Sequence, residues 1–308
     1  MTIPLVANAW HDSQSKYSTP PVRSILVTGA SKGLGKSFAT AWARSGAAVL
    51  INNRFSGTGP SPVDRLVADL TADGFIAAAD HHEVEAPGAA TAMVDAAVAQ
   101  FGRLDALILN AAVEGPAEKV GTSGDGGLEQ VMVINFFANA AIVRAALPHL
   151  LKSDSPRILF VSSTAGVYGV KGRAAYAASK GALNAFALSL AQEQRRNGIL
   201  VNILMPYAAT TMTTRTNAAP DAKLSPDDVA AAATWLSGPD CTETGSMWVA
   251  AGQYIKRVVP VESEIAGPHG NDPAWLAGQA IDIGSADRQR SYPSAEHAFA
   301  AFYEGMSG

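Results

Sequence analysis

SILVTGASKGLG, residues 24–35, joins an apolar run to a glycine-rich turn. The aliphatic and β-branched residues up to Thr28 predict a short buried strand, and a helix is predicted to begin at Gly33. Glycines let a backbone turn sharply and approach a ligand closely, because they have no Cβ. Free N–H groups at the N-terminus of a helix attract phosphate. This strand, turn and helix predict the pyrophosphate site of a dinucleotide; the alternative is a turn that merely caps a helix.

The alternation of strand and helix continues along most of the chain. Helices are predicted at 33–45, 62–72, 89–101, 127–151, 173–196 and 226–236. Further apolar runs predict strands at 48–52, 75–79, 106–109, 157–162, 200–204 and 246–250. Strands linked by helices form right-handed βαβ units. The sequence therefore predicts an α/β fold, a Rossmann-type doubly wound parallel sheet of about seven strands.

The predicted sheet occupies one domain, residues 23–255. An N-terminal arm, residues 1–22, precedes it and contains the pair Pro20-Pro21. Residues 256–308 are richer in Gly, Pro, Ser and charge, and they end in a predicted amphipathic helix at 294–303. We interpret them as a C-terminal helical extension that packs on the core or on a neighbouring subunit.

Composition narrows the class of protein. Hydrophobic residues make up 48% of the 308 residues and charged residues 16%, which indicates a globular chain with a sizeable core. A net charge of −4 gives no reason to expect nucleic acid or an anionic membrane as a partner. We find no long uninterrupted apolar run and no targeting signal, so we expect a cytoplasmic protein without a membrane span. His81-His82 could suggest a metal site, but the chain has a single cysteine, Cys241, and no spaced His or carboxylate partner, so we interpret the pair as loop residues near the adenine and predict no metal.

The end of the second strand bears on the cofactor. In dinucleotide-binding folds an acidic residue there binds the ribose diol and selects NAD. This chain has Asn53-Arg54 instead, so that no carboxylate repels a 2′-phosphate and Arg54 can pair with it. Lys32 in the glycine turn can approach the same phosphate. NADP(H) is therefore predicted, with NAD(H) as the alternative, unless both cations are solvated surface groups.

Tyr176 and Lys180 lie one helical turn apart, so their side chains share a helix face. A free tyrosine has a pKa of about 10, and a neighbouring ammonium lowers it towards the range of a useful base. Ser163 follows the fifth strand, at the sheet edge where α/β proteins bind ligands. A hydroxyl there can hold a substrate oxygen while the tyrosine moves a proton. Together with the glycine turn, these residues predict a proton-transfer site.

These motifs resemble the short-chain dehydrogenase/reductase family from about Ser24 to Gly252. The motifs are Thr28-Gly29-x-x-x-Gly33-x-Gly35, Asn110-Ala111, Asn135, Ser163 and Tyr176-x-x-x-Lys180. The resemblance implies a Rossmann fold, a nicotinamide cofactor and a catalytic tetrad of Asn135, Ser163, Tyr176 and Lys180. It also implies that Asn135 holds a water linking Lys180 to solvent, and that Lys180 binds the nicotinamide ribose. A homodimer or homotetramer, formed through the helices that carry Asn135 and Tyr176, is implied as well.

Within the family, the sequence is most similar to the D-3-hydroxyacyl-CoA dehydrogenase domain of the peroxisomal multifunctional enzymes type two, at 163–169, 205–206, 211–213 and 249–255. The chain departs from the usual family pattern in two places. It has Leu109-Asn110-Ala111-Ala112 where the family usually has Asn-Asn-Ala-Gly, and Pro206-Tyr207 where the family has Pro-Gly. The D-3-hydroxyacyl-CoA group also typically has an acidic residue at the position of Asn53.

We therefore expect an NADP(H)-dependent oxidoreductase that interconverts a ketone and a secondary alcohol, with Tyr176 as proton donor and acceptor. The substrate is expected to be a 3-oxoacyl or 3-hydroxyacyl compound or another bulky carbonyl compound. The alternative is a dinucleotide-binding sensor or structural subunit without turnover. Predicted substrate residues are Ser163, Tyr168, Tyr176 and Tyr207. Predicted cofactor residues are Gly29, Ser31, Lys32, Gly33, Leu34, Gly35, Asn53, Arg54, Asp80, Asn110, Tyr176, Lys180, Pro206 and Thr211.

Overall fold

The computed structural model of the chain describes residues 22–55, 57–121, 127–209, 222–265 and 289–306. Nearly all of the predicted N-terminal arm, Thr211, and residues 266–288 of the predicted extension lie outside the described residues.

In the described part of the chain, eight strands form a single sheet in the order β3-β2-β1-β4-β5-β6-β7-β8. The strands are β1 (Ser24–Val27), β2 (Ala48–Asn52), β3 (Ala77–Asp80), β4 (Ala106–Leu109), β5 (Arg157–Val161), β6 (Leu200–Tyr207), β7 (Ser246–Ala251) and β8 (Tyr254–Val258). Neighbouring strands from β3 to β7 run parallel. This order confirms the predicted doubly wound sheet and all seven predicted strands.

The eighth strand was not predicted. It pairs antiparallel with β7, after a turn that begins at Gly252, where φ is +52°. Antiparallel strands can be joined by so short a turn. β8 contains Lys256 and Arg257 and is largely exposed, as charged edge strands often are, and its weak apolar pattern explains why it was missed. It crosses the predicted boundary between residues 255 and 256.

Helices cover both faces of the sheet. They are α1 (Gly33–Arg44), α2 (Pro62–Ala72), α3 (Ala89–Phe101), α4 (Leu128–Leu150), α5 (Ala165–Tyr168), α6 (Ala174–Gln194), α7 (Pro226–Leu236) and α8 (Ala295–Gly305). The predicted C-terminal amphipathic helix corresponds to α8, which Ser294 caps by accepting the N–H of His297.

Two hydrophobic clusters lie on opposite faces of the sheet. Leu26 belongs to a cluster built on α3, α4 and α6, while its neighbours Ile25 and Val27 belong to a cluster built on α1, α2 and α7. Successive side chains of a strand point to opposite faces. Because both faces are covered, β1 is apolar at every central position, and this is why the central strands were recognisable as continuous apolar runs.

Helix α4 is long and apolar enough to cross a membrane by length and composition. One such helix is weak evidence for a membrane span, because a core helix of a globular protein can be equally long and apolar. In this fold Ile142, Val143, Ala146 and Leu150 of α4 pack into the hydrophobic cluster on the sheet.

The direction of strand addition reverses between β1 and β4. The chain moves from β1 outwards to β3 and then returns to build β4, β5 and β6 on the other side. A crevice forms at the carboxyl ends of the strands where the order reverses. Here the N–H of Thr28 donates to the carbonyl of Ile108 at 3.0 Å, which places the turn after β1 beside the turn after β4.

Gly35 has the least room for a side chain among the glycines of the turn between β1 and α1. A Cβ there would lie 2.4 Å from the carbonyl oxygen of Gly29 and 2.6 Å from Nδ2 of Asn110. We expect Gly35→Ala to lower the free energy of unfolding by about 1–3 kcal/mol, because α1 must move away from the turn. Urea unfolding measures this change.

Gly181 in α6 provides the control. Its added Cβ would meet only the carbonyl oxygen of Gly166, at 3.4 Å, so Gly181→Ala should be neutral or stabilising. Equal effects of the two substitutions would show that the close approach at Gly35 is not limiting.

Candidate active site

A cleft of about 1120 Å³ opens at the carboxyl edge of the sheet, where β1, β2, β4, β5 and β6 end. It brings most of the predicted site residues together. Those that line it are Gly29, Lys32, Gly33, Leu34, Gly35, Asn53, Arg54, Asn110, Ser163, Tyr176, Lys180, Pro206 and Tyr207. The predicted residues Ser31, Asp80, Asn135 and Tyr168 are not among the lining residues.

Asn110 ties the turn after β4 to the glycine turn. Its Nδ2 donates to the carbonyls of Thr28 and Gly29, each at 3.0 Å. The hydroxyl of Thr28 accepts the N–H groups of Asn110 and Ala111 in return, also at 3.0 Å. Gly29 adopts a φ of +62°, and a Cβ there would lie 2.8 Å from Cα of Ala111. Asn110 thus uses its side-chain amide to hold the shape of the glycine turn. The sequence had predicted Asn110 as a cofactor residue.

The N-terminus of α1 fits a pyrophosphate. Its N-cap residue, Lys32, makes no side-chain hydrogen bond to the helix, and the first turn contains no acidic residue. By contrast, Ser61 and Ser225 cap α2 and α7 with their hydroxyls. The first N–H groups of a helix need an acceptor. Because Gly33 and the two residues after it line the cleft, a bound phosphate can be that acceptor.

The adenosine end of the cleft contains an acidic residue that the sequence reasoning missed. Nη1 of Arg54 lies 3.7 Å from Oε1 of Glu85, and the two side chains are 58% and 22% exposed. Both residues line the cleft, beside Lys32 and Asn53. Glu85 follows β3 and belongs to no motif, so no local signal marked it. It offsets part of the positive charge of Arg54 at this end of the cleft.

Asp80 lies outside the cleft lining and holds the loop beside it in place. It is buried, and its Oδ1 accepts from Nδ2 of Asn52 at 2.6 Å and from the N–H of His82 at 3.1 Å. Its Oδ2 lies 2.8 Å from Nδ1 of His82. His82 lines the cleft, whereas Asp80 does not. The carboxylate therefore positions the loop that faces the adenosine end.

Asn135 joins three segments of the site. Its Oδ1 accepts the N–H of Val113 at 2.8 Å, and its Nδ2 donates to the carbonyl of Val113 and to the hydroxyl of Ser179, each at 2.9 Å. The residue lies within a π-helical turn of α4, Val133–Phe137, and π turns are frequent at functional sites. Its carbonyl accepts from Nδ2 of Asn139 at 2.7 Å. The buried side chain acts as a clamp between the loop after β4 and α6.

Ser163 and Tyr176 line the same part of the cleft. Burial raises the pKa of the Tyr176 phenol above its ordinary value. The hydrogen bond to Ser163 opposes this rise, the carboxylate of Glu114 adds to it, and the guanidinium of Arg173 opposes it. Ser163 also accepts the N–H of Ala165 at 3.1 Å, which holds its hydroxyl at the end of β5.

Lys180 is almost completely buried, at 2% exposure. Its ammonium donates to the carbonyl of Val161 at 2.9 Å and lies 5.8 Å from the centroid of the Tyr176 ring. Burial lowers the pKa of Lys180 to about 8. The sequence predicted a lowered pKa for Tyr176, but the structure has it raised, because burial of the phenol outweighs the effect of nearby positive charge.

Arg173 and Glu114 form a second ion pair that the sequence reasoning missed. Nη2 of Arg173 lies 3.1 Å from Oε2 of Glu114, and Nη1 donates to the carbonyl of Gly115 at 2.8 Å. All three residues line the cleft. Glu114 and Arg173 each lie close in sequence to a predicted site residue. No sequence pattern connects Glu114 with Arg173, because the two are far apart in the chain.

The two predicted substrate tyrosines differ in position. The hydroxyl of Tyr207 lies 2.9 Å from Oγ1 of Thr164, and both residues line the cleft. Tyr168 closes the short helix α5 with 73% of its surface exposed, and it does not line the cleft. The structure therefore places Tyr207, but not Tyr168, in the wall of the cleft.

Comparison with known proteins identifies the family. Residues 23–221 match the family model described as short chain dehydrogenase. The chain is 32% identical over 243 residues to peroxisomal multifunctional enzyme type 2 of Mus musculus, a match that covers 77% of this chain and 32% of that protein. It is 30% identical over 245 residues to a putative short-chain type dehydrogenase/reductase of Mycobacterium tuberculosis, covering 77% of this chain and 84% of that one.

Among solved structures, the chain is similar to a short chain dehydrogenase from Burkholderia cenocepacia J2315 in complex with NADP, with a TM-score of 0.67 and 29% identity. The match covers 75% of this chain and 96% of the other. The chain belongs to the short-chain dehydrogenase/reductase family, as its motifs predicted, and is an oxidoreductase of that family. It spans about a third of the length of the mouse relative.

The burial of Lys180 has a consequence for stability. Its folded pKa of about 8 lies below the ordinary value of 10.5, so folding disfavours the ammonium. Below pH 8 both states are protonated and the full cost is present; above about 10.5 both are neutral and the cost vanishes.

We expect Lys180→Met, which removes the charge at similar volume, to raise the free energy of unfolding by about 2 kcal/mol near neutral pH. Loss of the hydrogen bond to Val161 offsets part of the gain. The difference from wild type should narrow as the pH rises from 8 towards 10.5. Urea unfolding at several pH values measures it, and a variant less stable than wild type throughout would contradict the expectation.

Proposed function

We propose that the protein is an NADP(H)-dependent oxidoreductase that interconverts a ketone and a secondary alcohol. The observation that carries the proposal is that Ser163, Tyr176 and Lys180 line the same cleft as the uncapped N-terminus of α1. One end of the cleft can bind phosphates, and the other can hold a carbonyl oxygen and supply a proton.

In this proposal the cofactor supplies or accepts the hydride. Gly33, Leu34 and Gly35 would hold the pyrophosphate with main-chain N–H groups, and Arg54 and Lys32 would face the adenosine phosphate. The hydroxyl of Ser163 holds and polarises the substrate oxygen. Tyr176 donates a proton to that oxygen in reduction and accepts one in oxidation.

Lys180 and Asn135 support this proton transfer. The ammonium of Lys180 has two N–H bonds besides the one directed at Val161, and these can hold a ribose hydroxyl. Asn135 keeps the loop after β4 and helix α6 in register, and α6 carries the phenol that faces the cleft with Ser163. Charge on Lys180 also favours the phenolate once the proton has left.

The raised pKa of Tyr176 supports reduction as the working direction. A buried phenol with a raised pKa keeps its proton near neutral pH, which suits a group that donates to a developing alkoxide. As a base, the same group is competent only at higher pH. The predicted preference for NADP(H), a cofactor that mainly serves reduction in cells, agrees with this direction.

The substrate class remains that expected from the sequence, a 3-oxoacyl compound or another bulky ketone. The resemblance to D-3-hydroxyacyl-CoA dehydrogenase domains supports it, and so does an open cleft with room beyond the predicted cofactor residues. The alternative, a sensor without turnover, drew on the substituted residues Leu109 and Ala112. Leu109 is buried in the hydrophobic core, and its replacement of a family asparagine removes none of the groups assigned above.

Tyr176→Phe tests the proton donor. Removal of the hydroxyl should reduce the rate of NADPH oxidation with ketones and 3-oxoacyl thioesters by at least about 100-fold. NADPH binding, measured by fluorescence titration, should change little. If wild type and variant are equally inert with every carbonyl compound while both bind NADPH, the sensor alternative gains.

Arg54 and Glu85 test the cofactor preference. Arg54→Ala should weaken NADPH binding roughly tenfold and leave NADH binding nearly unchanged, because only NADPH carries the phosphate that pairs with the guanidinium. Glu85→Gln should strengthen NADPH binding, since the carboxylate no longer competes for Arg54. Glu83→Gln, an exposed neighbour outside the cleft lining, is the control. Tighter binding of NADH than of NADPH by the wild type would overturn the cofactor proposal.

Homo-oligomerisation and a cytoplasmic location stay predictions. Phe137 on α4 and Leu151 directly after it, at 55% and 53% exposure, are large apolar residues on or beside one of the helices expected to form the subunit interface, and they support the first of these predictions.

A further inference from the structure

Glu114 and Arg173 face each other on the wall of the cleft that contains Tyr176. Their charged atoms lie 3.1 Å apart, and the side chains are only 25% and 15% exposed. Glu114 follows β4, whereas Arg173 directly precedes α6 and stands three residues before Tyr176. Neither charge has a role in the reaction proposed above.

Main-chain contacts hold the pair in place. Nη1 of Arg173 donates to the carbonyl of Gly115 at 2.8 Å, and the N–H of Glu118 donates to the carbonyl of Gly172 at 2.9 Å. The loop after β4 is thus fastened to the start of α6. Charges that are fixed and partly shielded from water act on their neighbours more strongly than exposed charges, because solvent and salt screen them less.

We propose that the Glu114–Arg173 ion pair sets the pH range in which Tyr176 keeps its proton, and thereby the pH range of the reaction. The inference rests on the proposed role of Tyr176 as proton donor and acceptor. Glu114 and Arg173 are positioning residues in this sense, since they act through Tyr176 and not on the substrate.

The two charges act on Tyr176 with opposite sign. Burial is the largest cause of the raised pKa of Tyr176, and the hydrogen bond to Ser163 opposes it. The carboxylate of Glu114 raises the pKa further, because it repels the phenolate, and the guanidinium of Arg173 lowers it. While the pair is intact, these two effects oppose each other. If one charge is removed, the effect of the other on the pKa of Tyr176 is no longer opposed.

Other groups around Tyr176 act independently of the pair. Lys180 lies one turn later on α6, with its ammonium 5.8 Å from the phenol ring. Tyr207, from the end of β6, contributes a second phenol to the cleft. Helix α4 packs against α6 through the uncharged side chain of Asn135. Substitutions at Glu114 and Arg173 leave all three of these groups in place.

The test is the pH profile of kcat for alcohol oxidation with NADP⁺, in which Tyr176 must be deprotonated. Glu114→Gln leaves an unpaired positive charge, so the rising limb of the profile should move to lower pH. Arg173→Gln removes the positive charge and keeps the carboxylate of Glu114, so the limb should move to higher pH. The double variant Glu114→Gln/Arg173→Gln should return towards the wild-type profile.

Opposite shifts distinguish the proposal from a structural role. A pair that only fastens the loop would give lower rates in both single variants, with shifts of the same sign or none, and that result would overturn the proposal. Glu114→Asp and Arg173→Lys keep the charges and should keep the wild-type limb. Glu129→Gln and Lys171→Gln, both exposed and outside the cleft lining, are charge controls that should shift nothing.

A second readout separates this inference from the proposed function. The ultraviolet absorbance of tyrosinate, taken as the difference between each variant and its Tyr176→Phe counterpart, reports the ionisation of Tyr176 without turnover. Opposite shifts in this titration would support the inference even if Tyr176→Phe retained activity and the proposed proton donor failed. Unchanged titrations in an enzyme that Tyr176→Phe inactivates would overturn the inference alone.

Discussion

The side-chain amide of Asn135 joins the segments on which the reacting groups lie. It uses its acceptor and its donors on the loop after β4 and on Ser179 of α6, at a position with no exposed surface. A buried amide left without partners would be costly, so this arrangement is strongly favoured over alternatives. Because α6 also carries Tyr176 and Lys180, the clamp determines how far the phenol stands from Ser163 at the end of β5.

The clamp depends in turn on an irregularity of α4. A π turn inserts one extra residue into a helical turn, which changes the direction of the side chains on either side. The turn Val133–Phe137 contains Asn135, while the rest of α4 packs its apolar face on the sheet. The helix can therefore serve both as a wall of the hydrophobic core and as the support of a polar site.

The site is assembled at some cost to stability. Lys180 is buried and donates to the main-chain carbonyl of Val161, and its lowered pKa reflects how unfavourable the charged form is there. Functional sites often retain such groups because activity requires them. The phenol of Tyr176 is also poised by opposing influences, since burial and Glu114 favour its proton while Ser163 and Arg173 favour its loss.

The sequence by itself determined the seven parallel strands, the glycine turn and the spacing of Tyr176 and Lys180, because each depends on residues that are close together in the chain. Strands covered on both faces are continuous apolar runs, and side chains four residues apart share a helix face. The tertiary structure alone decided that Glu85 faces Arg54, that Glu114 faces Arg173, and that Asp80 lies behind the cleft wall. These contacts join residues from different βα units, and they follow from the strand order, which places distant loops at one edge. The tertiary structure also decided that the pKa of Tyr176 is raised and not lowered. Burial causes this shift, and burial depends on what packs around the phenol and not on its neighbours in sequence.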